Sequence, residues 1–146
     1  MDILWTTHLE DTIYKDALSI RSAVFITEQE IDQAIEIDQN ETNCIHGVGY
    51  INGQPVCTLR LLPQSAHHLI IQRVAVLKAY RHQRLGLKLM IAVEEKAKQE
   101  NYSKLSLSAQ LPVIPFYQKL GYSLTDNSTY KKAGILHKDM YKIISL

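Results

Sequence analysis

Seven consecutive residues, Arg81-His82-Gln83-Arg84-Leu85-Gly86-Leu87, hold two arginines, a histidine and a glycine. An apolar, β-branched run from Ile70 to Leu77 leads into them, and a long amphipathic pattern follows at once. A strand that delivers the chain to a helix N-terminus builds an anion site, because the first helical N–H groups lack backbone acceptors. Arg81, Arg84 and Lys88 add full positive charges, which oppose the helix dipole unless an anion offsets them. The chemistry this suits is the binding of a cofactor's phosphates. A P-loop would need GxxxxGK[ST], which does not occur, and a dinucleotide fold would need GxGxxG, whereas this elbow has only Gly86.

The elements that position the elbow can be read from periodicity. Ile3 to Thr6 reads as a first strand. Asp11 or Thr12 caps a helix with apolar residues Ile13, Ala17, Ile20 and Val24 on one face. The acidic stretch Glu28 to Thr42 predicts a short second helix and a loop. Cys44–Ile51 and Pro55–Leu62 are β-rich runs joined by Asn52-Gly53, a type I′ hairpin signal. Pro63 to His67 is a polar turn, and Leu69–Leu77 completes an antiparallel meander. After the elbow, a helix buries Gly86, Leu89, Met90, Val93 and Ala97 and exposes Lys88 and Glu95. Leu105–Ala109 alternates as a strand, and Pro112–Leu120 is a short helix stopped by Gly121. Tyr122–Thr125 and Met140–Ile144 are the expected last strands. Strand–helix–strand order in the second half requires a parallel crossover beside an antiparallel first half, hence a mixed sheet.

The spacing R-x-x-R-x-G from Arg81 to Gly86 resembles [QR]-x-x-G-x-[GA], the acyl-coenzyme A pyrophosphate loop of the GNAT N-acetyltransferases. RVAVLKAYR is similar to that family's fourth strand and its exit, and FYQKLGY (Phe116 to Tyr122) to its [FL]Y-x-[KR]-x-G-[FY] element. The run Arg21 to Gln29 (RSAVFITEQ) and Ala133 to His137 (AGILH) resemble the small ElaA-like branch. The resemblance implies an α/β (α+β mixed) fold. Its mostly antiparallel sheet is flanked by helices and splayed between the fourth and fifth strands, with a bulge in the fourth and coenzyme A in the gap. It implies one N-acetyltransferase domain over residues 1–146. Acetyl-coenzyme A would be the co-substrate, with direct transfer to a primary amine in a ternary complex. No cysteine sits at a helix start near the elbow, so a covalent acetyl-enzyme is not expected.

The same resemblance distributes roles. Backbone groups of Val74, Ala75 and Val76 would line the pantetheine arm and acetyl oxygen. Arg81, His82, Gln83, Arg84, Leu85, Gly86 and Leu87 would hold the pyrophosphate, and Tyr117 would give a proton to the departing thiolate, as a phenol can. Gln110 stands where the family often has asparagine and reads as a structural or cofactor hydrogen-bonder. On the acceptor side, Glu28, Glu30 and Glu36 could hold a cationic amine, and His46 or His137 could accept its proton. Arg84 departs from the pattern, standing where the first loop glycine sits. Helical backbone angles there are expected, since the residue falls in or beside the first helical turn; a positive φ would weaken binding.

Composition bounds the remaining classes. The chain has 146 residues, a formal charge of +1 and a pI near 7.8, which gives no electrostatic reason for a nucleic-acid or anionic-membrane partner. No apolar stretch approaches the ~20 residues that span a bilayer, and MDILWTTHLEDT lacks a signal peptide's basic and apolar regions, so a cytoplasmic protein is expected. Cys44 and Cys57 read as reduced and buried. His67-His68 has no third ligand, so no metal site is expected. A non-catalytic acyl-coenzyme A sensor and an adenine-nucleotide-binding regulator are the rival functions. The acceptor, a small molecule or a peptide amine, stays open among polyamine, aminoglycoside, amino acid and peptide N-terminus, and so does homodimerisation.

Overall fold

In the computed structural model, which describes residues 1–125 and 129–144, one mixed sheet organises the chain. Strand β1 (Asp2–Thr6) is followed by helix α1 (Thr12–Arg21), whose N-cap Asp11 accepts the Ile13 amide at 3.2 Å. Here the pattern Ile13, Ala17, Ile20, Val24 hides a change of helix type. The chain widens into a π-helix over Ser22–Glu28 before the one-turn helix α2 (Gln33–Glu36).

Strands β2 (Ile45–Ile51), β3 (Gln54–Ser65) and β4 (His68–Val76) form the antiparallel meander with β1. Asn52 (φ 50°) and Gly53 (φ 77°) both take the left-handed angles that a type I′ turn needs. β3 runs on through Ser65, so the expected polar turn shrinks to Ala66-His67. Helix α3 (Leu85–Gln99) buries Leu85, Leu89, Met90, Val93 and Ala97 against the sheet. Gly86 is half-buried, not a core residue as the periodicity predicts. The return strand β5 (Lys104–Gln110) lies parallel to β4, and α4 (Ile114–Lys119) ends at Gly121, φ 93°. A short β6 (Ser123–Leu124) and a hairpin of β7 (Tyr130–Lys132) and β8 (Ile135–Ile143) complete the sheet, ordered β1-β2-β3-β4-β5-β8-β6 with β7 also on β8.

Two hydrophobic clusters sit on opposite faces. One packs α3 and α4 against β3, β4 and β5; the other packs Ala17, Ile20, Val24 and Phe25 of the N-terminal helices against Val48 and Ala75. Along β4 the side chains alternate between them, so Ala75 belongs to the cluster under the N-terminal helices while Val74 and Val76 pack against the α3–α4 cluster. No helix among the described residues is long and apolar enough to cross a membrane.

Candidate active site

Parallel pairing of β4 with β5 runs only from His68↔Lys104 to Ile71↔Leu107. Beyond Ile71, β4 stays with β3 while β5 stays with β8, up to Gln110↔His137. The strands therefore splay, and the β5-facing edge of Gln72–Val76 has no strand partner among the described residues. The cause is a bulge. Between the pairs Thr58↔Ala75 and Arg60↔Gln72, Leu59 on β3 is opposed by both Arg73 and Val74 on β4. Arg73 holds φ 58°, a bulge conformation usually given to glycine.

The gap, about 350 Å³, is walled by Val74 on one strand and by Ala109 and Gln110 on the other, with Tyr117 and Phe116 behind them. Tyr117 is 7% exposed, edge-on to Phe116 and Tyr122, and its hydroxyl has no hydrogen-bond partner among the described residues. Burial pushes its phenol up to about 12, so the proton stays on oxygen at neutral pH. Gln110 donates from Nε2 to Gln29 Oε1 at 3.3 Å, tying the end of β5 to the π-helical segment.

Beside the gap, and sharing Phe116 with it, lies a second recess formed by Val76, Arg81, His82, Arg84, Leu85, Gly86, Leu87 and Lys119. Gln83 does not line it. The first amides of α3 open here, and a Cβ built on Gly86 would meet only the Phe116 ring at 3.5 Å. Arg84 is not helical: it is the N-cap of α3 at φ 60°, ψ 25°, which corrects the expectation of helical angles. His82 also has positive φ, 65°, so Arg81–Arg84 form a strained turn placed before the helix, whose first turn begins at Leu85. Arg81 donates from Nε to Val76 O at 3.0 Å and grips both oxygens of Glu28 at 2.9 and 2.7 Å. Its charge is thereby shared with Glu28, whose pKa is held down by those hydrogen bonds. Lys88 faces another recess with Met1 and Trp5, while Lys119, the lysine of FYQKLGY, supplies the cation on this side.

The expected acceptor residues are divided by the fold. Glu28 is engaged with the elbow, Glu30 is exposed outside the gap, and His46 is buried in β2 edge-on to Tyr14. His46 donates through Nε2 to Glu41 O at 2.8 Å, and burial keeps the ring neutral. Three of the five are thus kept from the gap; Glu36 and His137 reach it. Because a carbonyl can only accept, His137 Nδ1 is the donor to Ile135 O at 2.7 Å, which leaves Nε2 with a lone pair. Glu36 lies within a buried network that periodicity gave no means of finding. Arg21 binds Glu36 at 2.5 Å and Glu41 at 2.7 Å, Arg73 binds Glu36 at 2.8 Å, and Arg60 binds Asp38 and Glu41. The only hint in the sequence is that Arg21 and Arg60 fall at core-facing positions. Among the described residues no cluster of three metal-ligating side chains occurs.

Residues 9–122 match the family described as the Acetyltransferase (GNAT) family. The uncharacterised N-acetyltransferase YjcF of Bacillus subtilis is 34% identical over 128 residues, spanning 88% of this chain and 91% of its own. A crystal structure from Lactobacillus plantarum aligns with TM-score 0.91 at 30% identity, covering 99% of this chain and 98% of that one. Escherichia coli ElaA aligns with TM-score 0.81 at 26% identity, covering 97% and 99%. Motif, splayed sheet and relatives agree, and the chain belongs to the GNAT family of acetyltransferases, acyltransferases that draw on acetyl-coenzyme A.

Proposed function

We propose that the protein moves the acetyl group to a primary amine by direct attack within a ternary complex, using the gap between β4 and β5. The observation that carries this reading is that two adjoining recesses are bordered by a helix start and, among the described residues, by a strand edge without a partner strand and a tyrosine hydroxyl without a hydrogen-bond partner. The amides of Arg84 to Leu87, with the Arg84 and Lys119 side chains, suit a pyrophosphate. The β4 edge at Val74 to Val76 suits an amide-bearing arm and can turn an N–H toward a carbonyl oxygen as charge builds on it.

Tyr117 acts on the leaving sulfur. A phenol near 12 facing a thiol of about 8.5 would lose its proton only uphill. Its work is therefore hydrogen-bond donation to the developing thiolate, with full transfer following as other protons arrive. His137 Nε2 takes the amine's proton, its tautomer fixed by the Ile135 carbonyl.

Initial-rate kinetics read by thiol release test this. Intersecting double-reciprocal lines are expected; parallel lines would mean a covalent acetyl-enzyme. Tyr117→Phe keeps the ring and should lower kcat by about 10²-fold or less, with the KM for acetyl-coenzyme A nearly unchanged. Wild-type turnover would remove Tyr117 from the chemistry. Coenzyme A binding without thiol release from any amine would favour a sensor.

A further inference from the structure

Two of the three carboxylates expected to hold a cationic amine are occupied elsewhere, and the third, Glu30, is exposed outside the gap. Glu28 is paired with Arg81, and Glu36 receives Arg21 at 2.5 Å and Arg73 at 2.8 Å. Asp38 and Glu41 complete the network, so three arginines meet three carboxylates. The balance ends at the acceptor end of the gap, where two cations from different elements face the same space. Arg73, on the bulge of β4, uses Nε and Nη2 for Glu36, Ile35 O and Asp38, while Nη1 donates to nothing among the described residues. Lys132, on β7, lines the gap and has no ion pair among the described residues.

Lys132 sits where a further cation is disfavoured. Partial burial and then the charges of Arg73 and Arg60 pull its pKa below that of an ordinary lysine, against weaker opposing pulls from Asp139 and Asp38. Asp139 already accepts the Tyr130 hydroxyl at 2.5 Å. An anion in the gap would relieve this repulsion; a polycation would add to it. The rest of that end is apolar, with Phe25, Ile31, Ile35 and Ile135 on its walls.

Resting on the transferase reading above, we propose that the acceptor is an amine that also bears a carboxylate, an amino-acid type of molecule with an apolar body, its carboxylate bound between Arg73 Nη1 and Lys132. The amine then points along the gap toward His137 and Tyr117. The same charges disfavour polyamines and aminoglycosides.

Matched acceptors decide it. Thiol release from acetyl-coenzyme A is measured with phenylalanine against phenethylamine, leucine against 3-methylbutylamine, and spermidine. The amino acids should exceed their decarboxylated partners in kcat/KM by about 10- to 100-fold, the range of one charge-assisted contact. In Lys132→Gln that preference should fall by about 10-fold or more, through the acceptor KM. Lys132→Arg should restore it. Equal or better turnover of the plain amines or spermidine overturns the proposal while leaving the transferase intact, as does a Lys132→Gln variant with unchanged preference. Intact coenzyme A binding without thiol release from any acceptor overturns the transferase reading, and this proposal with it.

Discussion

Arg84 holds left-handed backbone angles at the mouth of the recess before α3, a conformation that costs an L-residue about 1–2 kcal/mol. Glycine would remove that strain but has more backbone freedom to lose on folding, about 0.5–1 kcal/mol. Arg84→Gly should therefore raise Tm modestly, by up to about 2–4 °C in a chain of this size. Coenzyme A affinity should become less sensitive to salt, because one cation is gone. A lower Tm would mean that the arginine side chain makes a stabilising contact. Tyr117 permits a second check. Its phenol, pushed up to about 12 by burial, keeps its proton throughout the usual assay range. The pH profile of kcat/KM should show no alkaline loss assignable to Tyr117 below pH ~10. The spacing of FYQKLGY made this tyrosine legible, but its burial and lone hydroxyl depend on Phe116 and Tyr122, brought to it by folding.

At the scale of elements, the splay follows from partner choice. β4 keeps β3 through a bulge and β5 keeps β8, so neither strand follows the other past Ile71 and Leu107. Helix α3 then starts beside the open edge, and Gly86 in its first turn has only an ordinary contact with Phe116. Gly86→Glu should fold normally, since a carboxylate near a helix start is favourable. It should nevertheless abolish the thermal stabilisation given by coenzyme A, because that carboxylate would meet the phosphates. An unchanged thermal shift would move the phosphates away from the elbow. Much of this was readable beforehand: a β-branched run, an elbow and an amphipathic repeat define a strand-to-helix junction by period alone. The π-helix at Ser22–Glu28 was not, because its apolar spacing fits an α-helix through Val24.

Across the whole molecule, stability depends on the buried arginine–carboxylate network under α1 and the gap. Glu41 is 4% exposed and accepts from Tyr14, Arg21 and Arg60. Removing its charge leaves three guanidinium groups sharing the two carboxylates of Glu36 and Asp38, and Glu41→Gln should lower the unfolding free energy by about 3 kcal/mol, measured by urea denaturation. Asp38 adds a pH dependence. Burial works to raise its pKa, but hydrogen bonds from Arg60 and the Asn40 amide, with the charges of Arg60 and Arg73, bring it down to about 2 from the ordinary 3.8. A depressed carboxylate contributes stability that is present above its unfolded value and is lost as pH falls through the folded one. Unfolding titrations should lose stability from about pH 4 down toward 2, and Asp38→Asn should flatten that acid limb while lowering stability at neutral pH.

By itself the sequence missed β7 and the start of β8 at Ile135, but it determined the order of elements as far as β6, the hairpin at Asn52-Gly53, the strand–elbow–helix junction and the family resemblance. Each of these is encoded by local period or by residues close in the chain. Tertiary structure alone decided which charged residues meet. Arg21, Glu36, Asp38, Glu41, Arg60 and Arg73 come from four separate segments, and nothing local in an acidic run distinguishes a solvated face from partners of buried arginines. The same holds for Glu28, taken by Arg81 across 53 residues, and for Lys132, delivered to the gap by the β7–β8 hairpin. The sign of charge around Arg73 and Lys132 therefore follows from long-range pairing, which a linear pattern does not contain.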